Sequence, residues 1–389
     1  MPIFTLMTVP FVFTLGGFVF AGLLEPMAMA LGVSVAKAAT LQAAFAFACA
    51  FAGPVLAHVT RNLSKKPLLI ASLVLLACVN GWSALAENFD SLMLSRIMIG
   101  GLGALALPLA VSIGVAMAPP EKRARTIAGI YAGVAVALIL GVPAGSVIGG
   151  VLGWRASFWM TATLCLVSLV LVASRVPKVP VAVAPTVSGR LDAQSFGYLA
   201  VTLLAFSAMF AMVGFIGPVI TALTGLGAYG IAALQVLIGA SCLAGLRLGA
   251  GLAAKPGVPG LPILFGGIVL ALAVVIHPLS LGTTTAAYGL VAMVVSILVA
   301  PASQFGTAPI VQARLAQAAG PSATFALALN GSMVYLGQGL GVASGAYAIG
   351  RWGLVAAPIT GVVIAMIGMG VALALRRPTA NSKTEPAQA

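Results

Sequence analysis

Apolar residues run along this chain in long, nearly unbroken stretches rather than in alternating or amphipathic stripes. Leu68 to Val79 is typical, with Ser72 as its only polar residue. Twelve such stretches, separated by short polar or Pro/Gly-containing breaks, predict helices at roughly 5–29, 38–58, 67–86, 91–117, 126–150, 156–175, 196–217, 229–252, 261–277, 284–305, 322–347 and 354–375. Crossing the hydrocarbon core takes about 20 apolar residues, and each stretch is close to that. Lipid offers no partners for free backbone groups, so spans of this kind are helical. A transmembrane barrel would need short segments of alternating polarity. The pattern therefore predicts an all-α membrane protein with twelve transmembrane helices.

The longest polar interruption, Arg175 to Gln194, contains three prolines and divides six helices from six. The expected organisation is an N-terminal bundle over 1–175, a cytoplasmic linker over 176–195, a C-terminal bundle over 196–376 and a disordered polar tail over 377–389. A repeat supports the division. A shift of 192 residues lays Gly22-Leu23-Leu24-Glu25-Pro26 on Gly214-Phe215-Ile216-Gly217-Pro218, and Gly53 and Leu56 on Gly245 and Leu248. It also lays Gly145, Gly149 and Gly153 on Gly337, Gly341 and Gly345. Copies separated by six spans run parallel, which implies two pseudo-symmetric bundles with a shared site near the midplane.

Composition narrows the class further. Of 389 residues, 61% are hydrophobic and 6% charged. A soluble domain carries about a quarter charged residues, so a water-facing surface is excluded. The low charge excludes a disordered chain as well. The net charge of +13 would suggest nucleic acid in a soluble protein. Here its distribution reads as topology, and no nucleic-acid partner is expected. Arg61, Lys65, Lys66, Lys122, Arg123, Arg125, Arg175, Lys178, Arg190, Arg247, Lys255, Arg314, Arg376, Arg377 and Lys383 fall on one side, and only Lys37, Arg155 and Arg351 on the other. The positive-inside rule then puts both termini in the cytoplasm. Cys49, Cys78, Cys165 and Cys242 sit singly inside apolar runs without metal-ligand spacing, and no metal site is expected.

Three motifs carry a family resemblance. Gly53-Pro54-Val55-Leu56-Ala57-His58-Val59-Thr60-Arg61-Asn62-Leu63-Ser64-Lys65-Lys66, after the second helix, resembles the helix 2–3 loop signature of the major facilitator superfamily. Arg96-Ile97-Met98-Ile99-Gly100-Gly101-Leu102-Gly103 in the fourth helix is similar to that family's second motif. Gly141-Val142-Pro143-Ala144-Gly145, continuing to Gly149-Gly150 and Gly153-Trp154-Arg155, resembles the antiporter motif of drug:proton antiporters and arabinose-efflux-like permeases. The resemblance implies the major facilitator fold over nearly the whole chain. It departs at the basic loop, where a base, Arg61, stands in place of the usual acid, Asn62 in place of an Arg and Ser64 in place of a Gly.

The residues themselves suggest roles. Gly141, Gly145 and Gly149 recur every fourth residue and make a face that lets helix backbones approach closely, while Pro143 removes a backbone hydrogen bond. In the family this helix packs on helix 8 across the two halves. Gly53, Arg61, Lys65 and Lys66 read either as a cytoplasmic gate latch or as a topological anchor. Arg96 is the one base inside a span, and such a group faces a cavity or a partner. The resemblance links it to proton coupling; a structural pair with a carbonyl or an acid is the alternative. Glu25, before Pro26, is the only acid near the membrane on the first helix. It reads as a proton-coupling carboxylate, with Arg96 as a partner lost on protonation, or as a solvated helix-end residue. Asn330, Gln338 and Tyr131 are candidates for the substrate cavity.

The function these features suggest is secondary active transport, in the mode of proton-driven efflux of small organic compounds, drug-like or sugar-like, by alternating access. The efflux direction is implied by the resemblance, and an importer or uniporter of a small metabolite is the alternative. The proton gradient serves as energy source and no cofactor is expected. Partners are the bilayer and a small molecule, and the chain is expected to work as a monomer in a bacterial inner membrane. An intramembrane enzyme fits poorly. His58 and His277 lie near opposite faces, no metal-ligand cluster occurs, and catalytic residues are not expected. No charge ring or filter sequence suggests a channel.

Overall fold

A computed structural model describes residues 2–177, 191–255, 257–282 and 286–376. Among the described residues all regular structure is helical. The first half holds α1 (Pro2–Phe18), α2 (Leu24–Ala30), α3 (Val35–Val59), α4 (Lys65–Leu85), α5 (Phe89–Gly103), α6 (Ala106–Met117), α7 (Arg123–Val136), α8 (Val142–Leu152) and α9 (Trp154–Arg175). The second half holds α10 (Ala193–Val213), α11 (Ile216–Thr224), α12 (Ala228–Ala253), α13 (Gly260–Ala273), α14 (Ile276–Leu281), α15 (Ala286–Ala319), α16 (Ala323–Trp352) and α17 (Ala356–Ala374).

Among the described residues ten helical runs are long and apolar enough to cross a membrane. One of them, Ala287–Trp352, is 66 residues long and folds back at the turn Gly320–Ser322, so it supplies two crossings. The shorter α1 continues through a break into α2 and completes twelve. The helices come in two bundles of six, the expected fold. Of the expected linker, residues 178–190 lie outside the described residues, as does the expected tail 377–389. Helix α9 ends at Arg175 and α10 begins at Ala193.

Several spans expected as single helices are broken. The first divides between α1 and α2, the fourth at 104–105, the seventh at 214–215 and the ninth at 274–275. The fifth stays helical but widens to a π-turn over Ala137–Gly141 immediately before Pro143. A proline that cannot donate to the preceding turn favours such local rearrangement.

The repeat is real but its register drifts. At the first and seventh helices the 192-residue shift holds, because Leu24 and Ile216 open α2 and α11. At the fifth and eleventh it does not. Both α7 and α16 follow a three-residue 3-10 turn, Pro120–Lys122 and Gly320–Ser322. Both spans end on a glycine with positive φ, Gly153 at 89° and Gly353 at 78°, a conformation in which a Cβ is strained. These landmarks lie 200 residues apart. The sequence match of Gly145, Gly149 and Gly153 on Gly337, Gly341 and Gly345 is therefore out by eight residues, about two turns. The glycine period of four hides that slip, because every frame superposes small residues. In the corrected register Gly145 abuts Val19, and Gly345 abuts Ala211; Val19 and Ala211 are themselves 192 apart.

Small-residue faces set the helix spacing inside each half. Gly141, Gly145 and Gly149 receive Leu15, Val19 and Leu23 of the first span. Gly337, Gly341 and Gly345 let α16 lie on the carbonyls of Leu203, Ser207 and Ala211 in α10. Substituting Leu at Gly149 or at Gly345 is expected to cost about 1–3 kcal/mol by overpacking. Gly350→Leu, at a position open to its surroundings, should cost almost nothing. Thermal unfolding of the three purified variants in detergent checks both statements.

Candidate functional site

The site is built around the break in the first span. Helix α1 ends at Phe18, so its last carbonyls lose their intrahelical donors. The Ala21 amide turns back to Phe18 O at 2.9 Å and leaves Gly17 O free of it. Two orphaned carbonyls then stand deep in the apolar interior. Arg96, on α5, meets both: Nη1 donates to Gly16 O at 2.7 Å and Nη2 to Gly17 O at 2.9 Å. The negative end of a helix is a favourable place for a cation. Glycine is needed where the rings come in, since a Cβ on Gly17 would stand 2.8 Å from the Phe45 ring. Aromatic faces enclose the guanidinium carbon at 4.7 Å from the Phe20 centroid, 5.1 Å from Phe45 and 5.9 Å from Phe158. Arg96 is wholly buried and its Nε has no partner.

Glu25 is elsewhere. It lies half-buried in the first turn of α2, past the break. Among the described residues no hydrogen bond or ion pair joins it to Arg96. The switch expected from that pair is absent from this conformation, because carbonyls and rings occupy the guanidinium. Of the two readings of Arg96, the geometry matches the partner made of carbonyls.

The boundary between the halves is closed from the midplane to the face opposite the termini. The second and eleventh spans, α3 and α16, share the longest contact across it, and the fifth and eighth spans also meet closely. Ser146 Oγ and Gln235 Oε1 are 2.8 Å apart and both residues are buried. A Cβ on Gly150 would overlap Ala228, and one on Gly239 would stand 3.0 Å from Ile139 Cα. The π-turn thus presents main chain to α12. Between the first and seventh spans, Gly217 lies against the Gly22 carbonyl and Phe18 against Phe210, ring centroids 5.9 Å apart. Phe47 fills the space over Gly339 of α16.

Towards the face that carries the termini, these contacts run out. Tyr131 on α7 is 50% exposed and lies within electrostatic range of Tyr335 of α16, on the other half. Gly331, one turn before Tyr335, meets nothing within 4 Å. Tyr335 itself packs edge-on to Phe13 and Phe45, each centroid 6.5 Å away. Asn330 and Gln338 lie on the same helix, buried, with Asn330 Oδ1 and Gln338 Oε1 unpartnered. The structure thus brings Tyr131 and Tyr335 to one boundary, with Gln338 beside Gly339 near it, whereas Asn330, seven residues before Gly337, shares the face of α16 that lies on α10 of its own half.

The basic loop stays within its own half. Lys66 Nζ donates to Ala173 O at 2.9 Å and so caps the end of α9. Arg61 is exposed and Gly53 lies against Ala104. Lys65 opens α4. On the opposite face each base rests on an aromatic ring: Lys37 on Phe89, Arg155 on Trp154 and Arg351 on Tyr347.

The antiporter-like glycines do not themselves cross the boundary. Gly141, Gly145 and Gly149 face α1 and its break, and the approach to α12 is made by Gly150, which the motif contains, and by Ile139 and Ser146, which the sequence did not single out. The available signal was spacing: positions 139, 146 and 150 form a stripe offset from 141, 145 and 149 around the same helix.

Comparison with known proteins agrees with this architecture. The family model described as Major Facilitator Superfamily matches residues 6–324. An uncharacterised MFS-type transporter of Bacillus subtilis, YfhI, is 30% identical over 343 residues, 87% of this chain and 84% of that one. The inner membrane transport protein YdhP of Escherichia coli is 29% identical over 369 residues, 94% and 92% of the two chains. A chloramphenicol resistance protein of Streptomyces lividans is 32% identical over 239 residues, 59% of this chain and 61% of its own length. Among solved structures, an inward-facing, unoccupied bacterial homologue of the human lysosomal transporter Spinster superposes with a TM-score of 0.79 at 16% identity over 96% of both chains.

Two outcomes are expected. Arg96→Met leaves two buried carbonyls without donors and should lower stability by about 2–5 kcal/mol, with Arg96→Lys recovering part; detergent melting curves check this. In a background lacking the four native cysteines, Ser146→Cys with Gln235→Cys should cross-link through a short thiol-bridging reagent. The cross-linked protein should lose transport, which a carrier with free halves would keep.

Proposed function

The chain belongs to the Major Facilitator Superfamily, and on that premise we propose that it is a secondary active transporter that exports small organic compounds, drug-like or sugar-like, in exchange for protons. Membership of a family of transporters removes the enzyme reading. The observation that carries the proposal is the boundary between the halves, sealed by Ser146, Gln235, Gly150 and Ala228 on one face and open at Tyr131 and Gly331 on the other. One such state is half of an alternating-access cycle, and rocking the halves about the Tyr335 level generates its counterpart.

The distribution of Lys and Arg supports a cytoplasmic placement of both termini. The open face is then the cytoplasmic one, where an exporter loads its cargo. The similarity to a chloramphenicol resistance protein supports the outward direction. The similarity to an inner membrane transport protein supports a bacterial inner membrane. The working unit of this reading is a monomer, as is usual for the family.

Glu25 is the coupling carboxylate of this reading. It is the only half-buried acid among the described residues; Glu87, Asp90, Glu121 and Asp192 are exposed. It acts alone, because Arg96 is occupied elsewhere. In proteoliposomes under an imposed pH gradient, the wild type should concentrate chloramphenicol against its gradient. Glu25→Gln should abolish that accumulation while leaving downhill exchange intact. Accumulation surviving in Glu25→Gln removes Glu25 from coupling, and downhill movement alone in the wild type makes the protein a uniporter.

A further inference from the structure

The interior of this protein holds a cation without a counter-ion. Arg96 is wholly buried and its partners are two neutral carbonyls and three rings. Among the described residues no carboxylate is buried. A guanidinium keeps its proton under all ordinary conditions. Its charge is therefore permanent, and carbonyl dipoles lower its self-energy without cancelling its field. Buried charges are ordinarily paired, so the missing anion needs an explanation.

The charge lies beside the transport boundary. The Phe45 ring, 5.1 Å from the guanidinium carbon, is in turn 6.5 Å from the Tyr335 ring of the opposite half. One aromatic side chain therefore separates the cation from the surface where the halves meet. The other polar groups at or beside that surface are neutral: Tyr131, Tyr335 and Gln338. Nothing offsets the field there. At about 10 Å and an effective dielectric of about 20, a unit charge changes the binding of another by about tenfold, against a cation and in favour of an anion.

We propose that Arg96 is a charge-selectivity residue, and that the boundary takes neutral and anionic amphipathic compounds while disfavouring cationic ones. This rests on the transport reading of the same boundary and narrows its cargo. It removes permanently cationic dyes and quaternary ammonium compounds from the preferred substrates. Arg96 acts through its field; it touches no cargo, since the rings enclose it.

Tetraphenylborate and tetraphenylphosphonium have nearly the same shape and opposite charge, which makes them the probes. Binding to the intact chain in neutral detergent is measured by tryptophan fluorescence. The borate should bind about tenfold or more tighter than the phosphonium. Arg96→Gln should bring the two affinities to within about threefold, and Arg96→Lys should keep the preference, which separates the buried charge from the basic loops. If Arg96→Gln does not fold, Gln338→Glu supplies the missing anion with Arg96 in place and should raise phosphonium affinity about tenfold. Equal or reversed affinities in the wild type overturn the proposal, as does a preference unmoved by Arg96→Gln, or by Gln338→Glu where that variant is used. Binding of neither ion also overturns it, and chloramphenicol accumulation in proteoliposomes then tells whether the transport reading stands.

Discussion

The structure depends on how the first span is interrupted. A helix that stops at Phe18 inside an apolar medium exposes carbonyls that water cannot reach, and such groups must find a donor within the protein. Arg96 supplies two donors from one side chain. Its planar fork suits two successive carbonyls better than an ammonium would. The arrangement ties α5 to α1, brings Phe20, Phe45 and Phe158 around one point, and lets α2 leave in a new direction towards α11. The closed face of the boundary is assembled on that redirected segment, because Gly22 lies against Ser146, Ile231 and Gly217.

A second constraint is the use of main chain as contact surface. At the fifth and eighth spans the nearest groups are Gly150, Gly239, Ala228 and the backbone of Ile139. Inside each half, glycines let α8 and α16 approach the first and seventh spans in the same way. Apolar side chains gain little by leaving lipid for protein, so helices in a membrane associate through close packing and a few polar links. The Ser146–Gln235 bond, at 2.8 Å, is one such link and joins the two halves.

Much of this was legible in the sequence. Continuous apolar runs gave the helical class and the twelve crossings, and the Arg175–Gln194 interruption gave the division into halves. The burial of Arg96 and the small-residue faces followed from residue type alone. What was not legible depends on rotation about a helix axis or on breaks within an apolar run. Nothing marks Val19 to Leu23 as a break, since every residue there is apolar or glycine. The pairing of Glu25 with Arg96, reasonable from charge, is not formed in this conformation, because two carbonyls created by the break hold the guanidinium. The glycine repeat misled in register by eight residues, because a period of four matches itself in any frame.

Part of the closed face, at Gly150, Gly239 and Gly217, is made of main chain, and this bears on leakage. A barrier made of long side chains can open by rotamer changes, one group at a time, and admit ions through partial gaps. A barrier made of glycine and alanine backbones has no such soft intermediate. Where Gly150 meets Ala228 and Gly239 meets Ile139 the contact is lost over a short separation, which leaves little room for a partly open arrangement at those points.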